Sequence, residues 1–169
     1  MRTFLEVSTT SLKVIKKFHM MTPATGLSHT ECVECMANSD NVIRAGLTPK
    51  LRDVPNLLRG LTYTASLPSK HVIVPTPFGS ASSAASKLYD PPIPEFSVVQ
   101  IALPPGQREI HEKLGGPSVG IVIAGGGVVR WENETLSVGL GDVFVVGADT
   151  QVEFGTQGQD ELIVYRAFC

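Results

Sequence analysis

The side chains best able to do chemistry crowd into positions 32–50, where Cys32, Glu34, Cys35, Asp40, Arg44 and Lys50 fall within one short run. A carboxylate such as Glu34 can accept and return a proton. A guanidinium such as Arg44 offers a planar, permanently charged fork to an oxyanion. Cys32 and Cys35 have chelating spacing, and His19 and His29 precede them. No second cysteine pair follows, however, and strand alternation puts the two sulfurs on opposite faces. A further group, Glu109, His111 and Glu112, stands apart in sequence. A lone histidine gives at most one ligand where zinc wants three or four, so His111 is expected to be a surface histidine.

These residues need elements to hold them. Residues 31–36 alternate, so that Cys32, Glu34 and Met36 share one face of a predicted strand, and Asn38-Ser39-Asp40-Asn41 follows as a turn cluster. Periodicity alone reads 32–50 as strand, turn, strand, with Arg44 and Lys50 as solvated cations. Asp53 is a natural N-cap, Pro55 suits a first helical turn, and Val54, Leu57 and Leu58 have helical spacing, which predicts a short helix ending near Gly60. Residues 1–24 carry a mixed pattern and stay unassigned. Residues 66–95 are rich in Pro, Ser and Ala, with only Val72-Ile73-Val74 resembling a strand, and read as a linker. From 96 onward, short apolar runs at 96–103, 119–124, 128–131, 143–146, 152–154 and 162–168 predict a mostly β sandwich or jelly roll. Gly125-Gly126-Gly127 lies between two of those runs, where a hairpin turn fits and a phosphate cradle, which needs a following helix, does not.

The 169 residues suffice for one domain, or for a domain plus part of another. A formal charge of -2 gives no field to attract nucleic acid or an acidic membrane surface, and no apolar run approaches the roughly 20 residues of a membrane-spanning helix. Neither partner is expected. Three cysteines do not suggest a disulfide framework, and the first 21 residues lack a signal-peptide pattern, so a cytoplasmic location is expected.

Two stretches resemble known families. Gly139-Leu140-Gly141-Asp142-Val143-Phe144-Val145-Val146-Gly147-Ala148 resembles the second motif of the cupin jelly rolls. In metal-binding cupins a histidine follows, whereas Gln151 and Glu153 stand here. The run from Cys32 to Lys50, containing Glu-Cys-Met-Ala, Ser-Asp-Asn and Arg-Ala-Gly-Leu-Thr-Pro-Lys, is similar to the active-site segment of type I mannose-6-phosphate isomerases. The likeness continues through Asp53-Val54-Pro55-Asn56-Leu57, Tyr89-Asp90-Pro91-Pro92-Ile93-Pro94-Glu95-Phe96 and Tyr165-Arg166-Ala167.

The resemblance implies a fold and a chemistry. Residues 25–65 become a remnant of a catalytic cupin domain, 66–95 the linker, and 96–169 a carboxy-terminal jelly roll. The family interconverts mannose 6-phosphate and fructose 6-phosphate through a cis-enediol, with a zinc ion and an arginine stabilising the oxyanion, and feeds GDP-mannose synthesis. By position Arg44 is that arginine and Glu34 an active-site glutamate, while Lys50 and Asp40 lie where the sugar phosphate binds. The family's upstream zinc-ligand histidine is replaced by Thr25, and His29 is displaced from that position by four residues, roughly 13 Å along an extended chain. This implies a fragment of the intact enzyme that does not hold zinc stably and has low activity alone. Two other readings stay open: a cupin-like binding module that has lost its metal, and a structural-zinc interaction protein built on Cys32 and Cys35.

Overall fold

Short apolar runs of a few residues, set off by glycine and polar turns, favour strands, and such runs recur through the carboxy-terminal half. In a computed structural model of the protein, residues 5–9, 33–37, 43–44, 49–60, 67, 72–79 and 85–169 are described. The chain divides into two units, Met1–Ile73 and Val74–Cys169.

In the first unit, strand β1 (Leu5–Thr9) pairs in parallel with β2 (Val33–Ala37). β1 lies inside the stretch left unassigned from sequence. Helix α1 (Val54–Gly60) forms where predicted. The Asn56 amide donates to Asp53 Oδ1 at 3.1 Å, so Asp53 supplies the acceptor that the first turn lacks. The predicted turn 38–41 lies outside the described residues.

The second unit is a sandwich of two antiparallel sheets. One holds β3 (Thr76–Pro77), β4 (Ser86–Tyr89), β5 (Ser97–Leu103), β7 (Ser118–Ala124), β10 (Val143–Val146) and β12 (Leu162–Phe168), in the order β10-β7-β12-β5-β4-β3. The other holds β6 (Arg108–His111), β8 (Gly126–Trp131), β9 (Glu134–Gly139) and β11 (Val152–Thr156), in the order β6-β11-β8-β9. From β5 onward each strand crosses to the opposite sheet, apart from the β8–β9 hairpin, and this shuttling is jelly-roll connectivity. The core lies between the sheets and includes Val99, Ile101, Leu103, Val122, Phe144, Phe154, Leu162 and Val164. The expected mostly β, cupin-like jelly roll is therefore present.

Three local expectations change. Of the predicted linker 66–95, residues 76–77 and 86–89 are strands at one end of the six-stranded sheet, whereas Val72-Ile73-Val74 forms none. Proline is tolerated at a sheet edge, where Pro77 sits, so composition alone did not exclude pairing. The Gly125 turn is a corner between sheets and not a hairpin, because β7 and β8 belong to different sheets. Gly125 has φ +69, and a Cβ there would fall on the carbonyl of Glu161. Gly125→Ala should therefore lower stability by about 1–3 kcal/mol in thermal unfolding, and an unchanged melting temperature would show that the corner can relax. Finally, β6 and β9 were not predicted. In β6 the pattern is inverted: Glu109 and His111 are buried while Ile110 is exposed.

Candidate functional site

The four residues expected to do chemistry all belong to the amino-terminal unit. Glu34 is the second residue of β2, with its backbone opposite Glu6 of β1. Arg44 is half-buried, and its carbonyl accepts a 2.8 Å hydrogen bond from the Asp53 amide. That bond ties the arginine's backbone to the capped start of α1, so the helix fixes where the Arg44 side chain begins. Lys50 is exposed. Asp40 lies outside the described residues, as do Cys32, His19, His29 and Thr25. Cys35 is half-buried and forms no disulfide among the described residues.

A second constellation, inside the sandwich, was not anticipated. His111 is fully buried, which corrects the expectation of a surface histidine: β6 turns this side chain inward between Phe78 and Phe154, whose rings meet it edge-on at centroid distances of 5.0 and 5.1 Å. Its Nδ1 lies 3.3 Å from Arg166 Nη1, and its Nε2 lies 3.0 Å from Ser86 Oγ and 3.9 Å from Glu109 Oε1. A guanidinium only donates, so Nδ1 accepts and the proton sits on Nε2, facing Ser86 and Glu109. Arg166 Nε also donates to Ser118 Oγ at 2.8 Å. The neutral imidazole thus stands between a buried carboxylate and a buried guanidinium, and the two serines supply further polar partners. The sequence did hold a signal: Arg166 interrupts an apolar closing strand, and a buried cation requires partners.

Burial, reinforced by the Arg166 charge, pushes His111 down to about 3. An unfolded imidazole takes up its proton near 6.5. Below that pH the unfolded chain binds a proton that the folded chain does not, so this group's contribution to stability is complete above about 6.5 and is lost as pH falls towards 3. The slope in that window approaches about 1.4 kcal/mol per pH unit. Urea unfolding at pH 7 and pH 5 should show a steeper loss for the wild-type chain than for His111→Gln; equal losses would remove His111 from the cause.

These residues do not fit a zinc ion. A catalytic zinc site takes three protein ligands and keeps one position open. Among the described residues no group of three or more His, Cys, Asp or Glu converges to hold a metal. Inside the sandwich His111 and Glu109 are two donors, and the lone pair on Nδ1 is already engaged by Arg166.

Comparison with known proteins places this arrangement. The model for the family described as Phosphomannose isomerase type I C-terminal matches residues 86–130. The mannose-6-phosphate isomerase of Cryptococcus neoformans is 48% identical over 124 residues, covering 73% of this chain and 28% of that protein. The Bos taurus enzyme is 37% identical over 143 residues, covering 82% of this chain and 33% of its own. The chain therefore spans about a third of the length of the curated relatives it matches. Among solved structures, the mannose 6-phosphate isomerase of Salmonella typhimurium, determined with substrate (f6p) and a zinc atom bound, is similar at a TM-score of 0.62 and 26% identity, over 79% of this chain and 32% of that one. With a shared sandwich, a matching carboxy-terminal profile and this level of identity, the chain corresponds to the carboxy-terminal part of type I phosphomannose isomerases.

Proposed function

We propose that this chain supplies the carboxy-terminal share of a mannose-6-phosphate isomerase, including one wall of the active site. The observation that carries the reading is the run from Cys32 to Lys50, which keeps Glu34, Asp40, Arg44 and Lys50 in the family's order. The reaction moves a proton between adjacent carbons of a sugar phosphate through an enediolate. Arg44 would face the developing oxyanion, where a fixed cation acts more strongly in the transition state than on the neutral carbonyl. Glu34 would relay the proton or position the sugar. Lys50 and Asp40 would bind the substrate, Lys50 through attraction to its phosphate. In the family zinc polarises the substrate oxygens; one of its ligand histidines falls where Thr25 stands here, and the remaining ligands come from the rest of the enzyme. The cellular setting we infer is cytoplasmic, with no nucleic-acid or membrane partner, in keeping with the weak net charge and a cysteine count that does not suggest a disulfide framework. Among the described residues no helix is long and apolar enough to cross a membrane.

A second reading, a sugar-phosphate-binding module without turnover, draws on Thr25 at the position where the family carries a ligand histidine. A coupled assay for conversion of mannose 6-phosphate to fructose 6-phosphate separates the two. It is run with zinc on the full chain and on a chimera in which the chain replaces the matching third of the Cryptococcus enzyme. Zinc-dependent turnover by the chimera supports the first reading. A folded chimera that binds fructose 6-phosphate without turnover supports the second.

A further inference from the structure

The buried cluster around His111 is sealed unevenly. On one side its charge is held by the interior of the six-stranded sheet: Arg166 belongs to β12, between β7 and β5, and bonds Ser118 of β7 as well as the imidazole. Phe154 of β11 closes a second side. A third side is covered by the two residues that follow β3. The Phe78 ring meets His111 edge-on at 5.0 Å, and a Cβ added to Gly79 would come within 2.7 Å of Glu109 Oε1, so this backbone lies directly on the carboxyl group. Phe78 is nevertheless only half-buried and Gly79 is exposed. On this side His111 and Glu109, themselves fully buried, lie one residue below solvent.

This cover is also weakly held. β3 is two exposed residues long and stands at the end of its sheet, paired with β4 through Thr76 opposite Leu88 and Pro77 opposite Lys87. The Phe78 amide adds one bond, to the Ser86 carbonyl at 3.1 Å. A short edge strand with few backbone bonds and little buried apolar surface belongs to the low-stability end of a fold. Its detachment would expose the polar cluster rather than the apolar core, and rehydrating buried charged groups offsets part of the cost.

We propose that β3 with Phe78 and Gly79 is an acid-opened gate: it peels from β4 while the sandwich stays closed, and so admits water and protons to His111 and Glu109. The groups around the imidazole decide the direction of the response. Glu109 of β6 and the neutral Ser86 of β4 face Nε2, Arg166 of β12 faces Nδ1 with Ser118 of β7 behind it, and Phe78 and Phe154 flank the ring. With the gate shut, an imidazolium would form away from solvent and beside a guanidinium. With the gate open, water joins the Glu109 carboxyl group on the side remote from Arg166, and the cation is better tolerated. The open form therefore binds the proton more readily than the closed one, and acid shifts the gate towards open. The response is local and precedes unfolding of the domain.

The Phe78 amide reports the gate, because its bond to Ser86 exists only when β3 is in place. Hydrogen exchange of the full chain is read by NMR and corrected for the intrinsic rate at each pH. Phe78 should be protected about 100-fold less than the amides of β12, and its exchange should respond little to low urea, as an opening that exposes little surface does. Between pH 7 and pH 5 its protection should fall by about tenfold in the wild-type chain and stay level in His111→Gln. A reversible lock gives a second reading that does not depend on that variant folding. Pro77 and Lys87 are both exposed and form the close kind of cross-strand pair, since Phe78 and Ser86 beside them form the hydrogen-bonded kind, so Pro77→Cys with Lys87→Cys can be bridged. The oxidised bridge should raise Phe78 protection and remove its dependence on pH, and reduction should restore both. Phe78 protection equal to that of β12, with the same urea dependence, would overturn the proposal by showing that β3 leaves only when the whole domain unfolds. A pH response that survives in His111→Gln or under the oxidised bridge would overturn it as well.

Discussion

Arg166→Ala should lower the stability of the jelly roll by about 3–5 kcal/mol, the loss of two buried hydrogen bonds from a charged donor at about 1.5–3 kcal/mol each. Arg166 is 1% exposed and divides its donors between Ser118 Oγ and His111 Nδ1. Its removal takes the positive charge out of an interior that still holds Glu109, itself 2% exposed and 3.9 Å from the same imidazole. It also leaves an acceptor nitrogen without its donor, a further cost of about 1–3 kcal/mol that overlaps with the first. Guanidinium unfolding followed by the fluorescence of Trp131, which packs against the core, reads the loss directly. Arg166→Lys restores the charge but not the two-armed geometry, so it should recover only part of the loss. A loss below about 1 kcal/mol for the alanine variant would show that the cluster is not a main support of the sandwich.

Arg44→Ala in the chimera should lower kcat/KM for mannose 6-phosphate by about 10²–10³-fold, the effect of deleting one preorganised donor to an oxyanion. Most of that should fall on kcat, since the interaction grows as the enediolate forms. Arg44→Lys should recover little, because a point charge on a flexible stem does not reproduce the fork. The reason to expect a specific effect is local: the Arg44 carbonyl is held by the Asp53 amide, and Asp53 in turn caps α1. Truncating the side chain leaves that backbone anchor intact. A change of less than about threefold would move the oxyanion role away from Arg44.

How much of this was readable from sequence depended on whether the rule in play was local. The helix at 54–60 announced itself through Asp53 and Pro55, because capping is decided within four residues. The strands at 97–103, 143–146 and 162–168 followed from apolar runs. β6 escaped because its inward residues are Glu109 and His111, and the His111 partners Ser86 and Arg166 lie 25 and 55 positions away, where no local pattern shows them. The Gly125 corner was misread for a related reason: a hairpin and a crossover between sheets begin with the same glycine, and only the pairing of β7 with β12 and of β8 with β11 tells them apart. Among the candidate catalytic residues, the family likeness carried the assignment of Arg44 and Glu34. Periodicity would have left both as ordinary polar residues on strands.

The place of β12 has a consequence for how the domain is made. This closing strand is not at an edge: it lies between β7 and β5, in the interior of the six-stranded sheet, and carries Leu162, Val164 and Arg166 into the core. Emerging from the ribosome, the preceding strands have a gap where the sheet's spine belongs, and the sandwich cannot close until position 168 is free. Closure of the sandwich therefore waits for β12, and it depends on contacts between residues far apart in the chain, the kind that form slowly. Until then β5 and β7 lack the strand that joins them, and their open edges are the places where unwanted pairing would start.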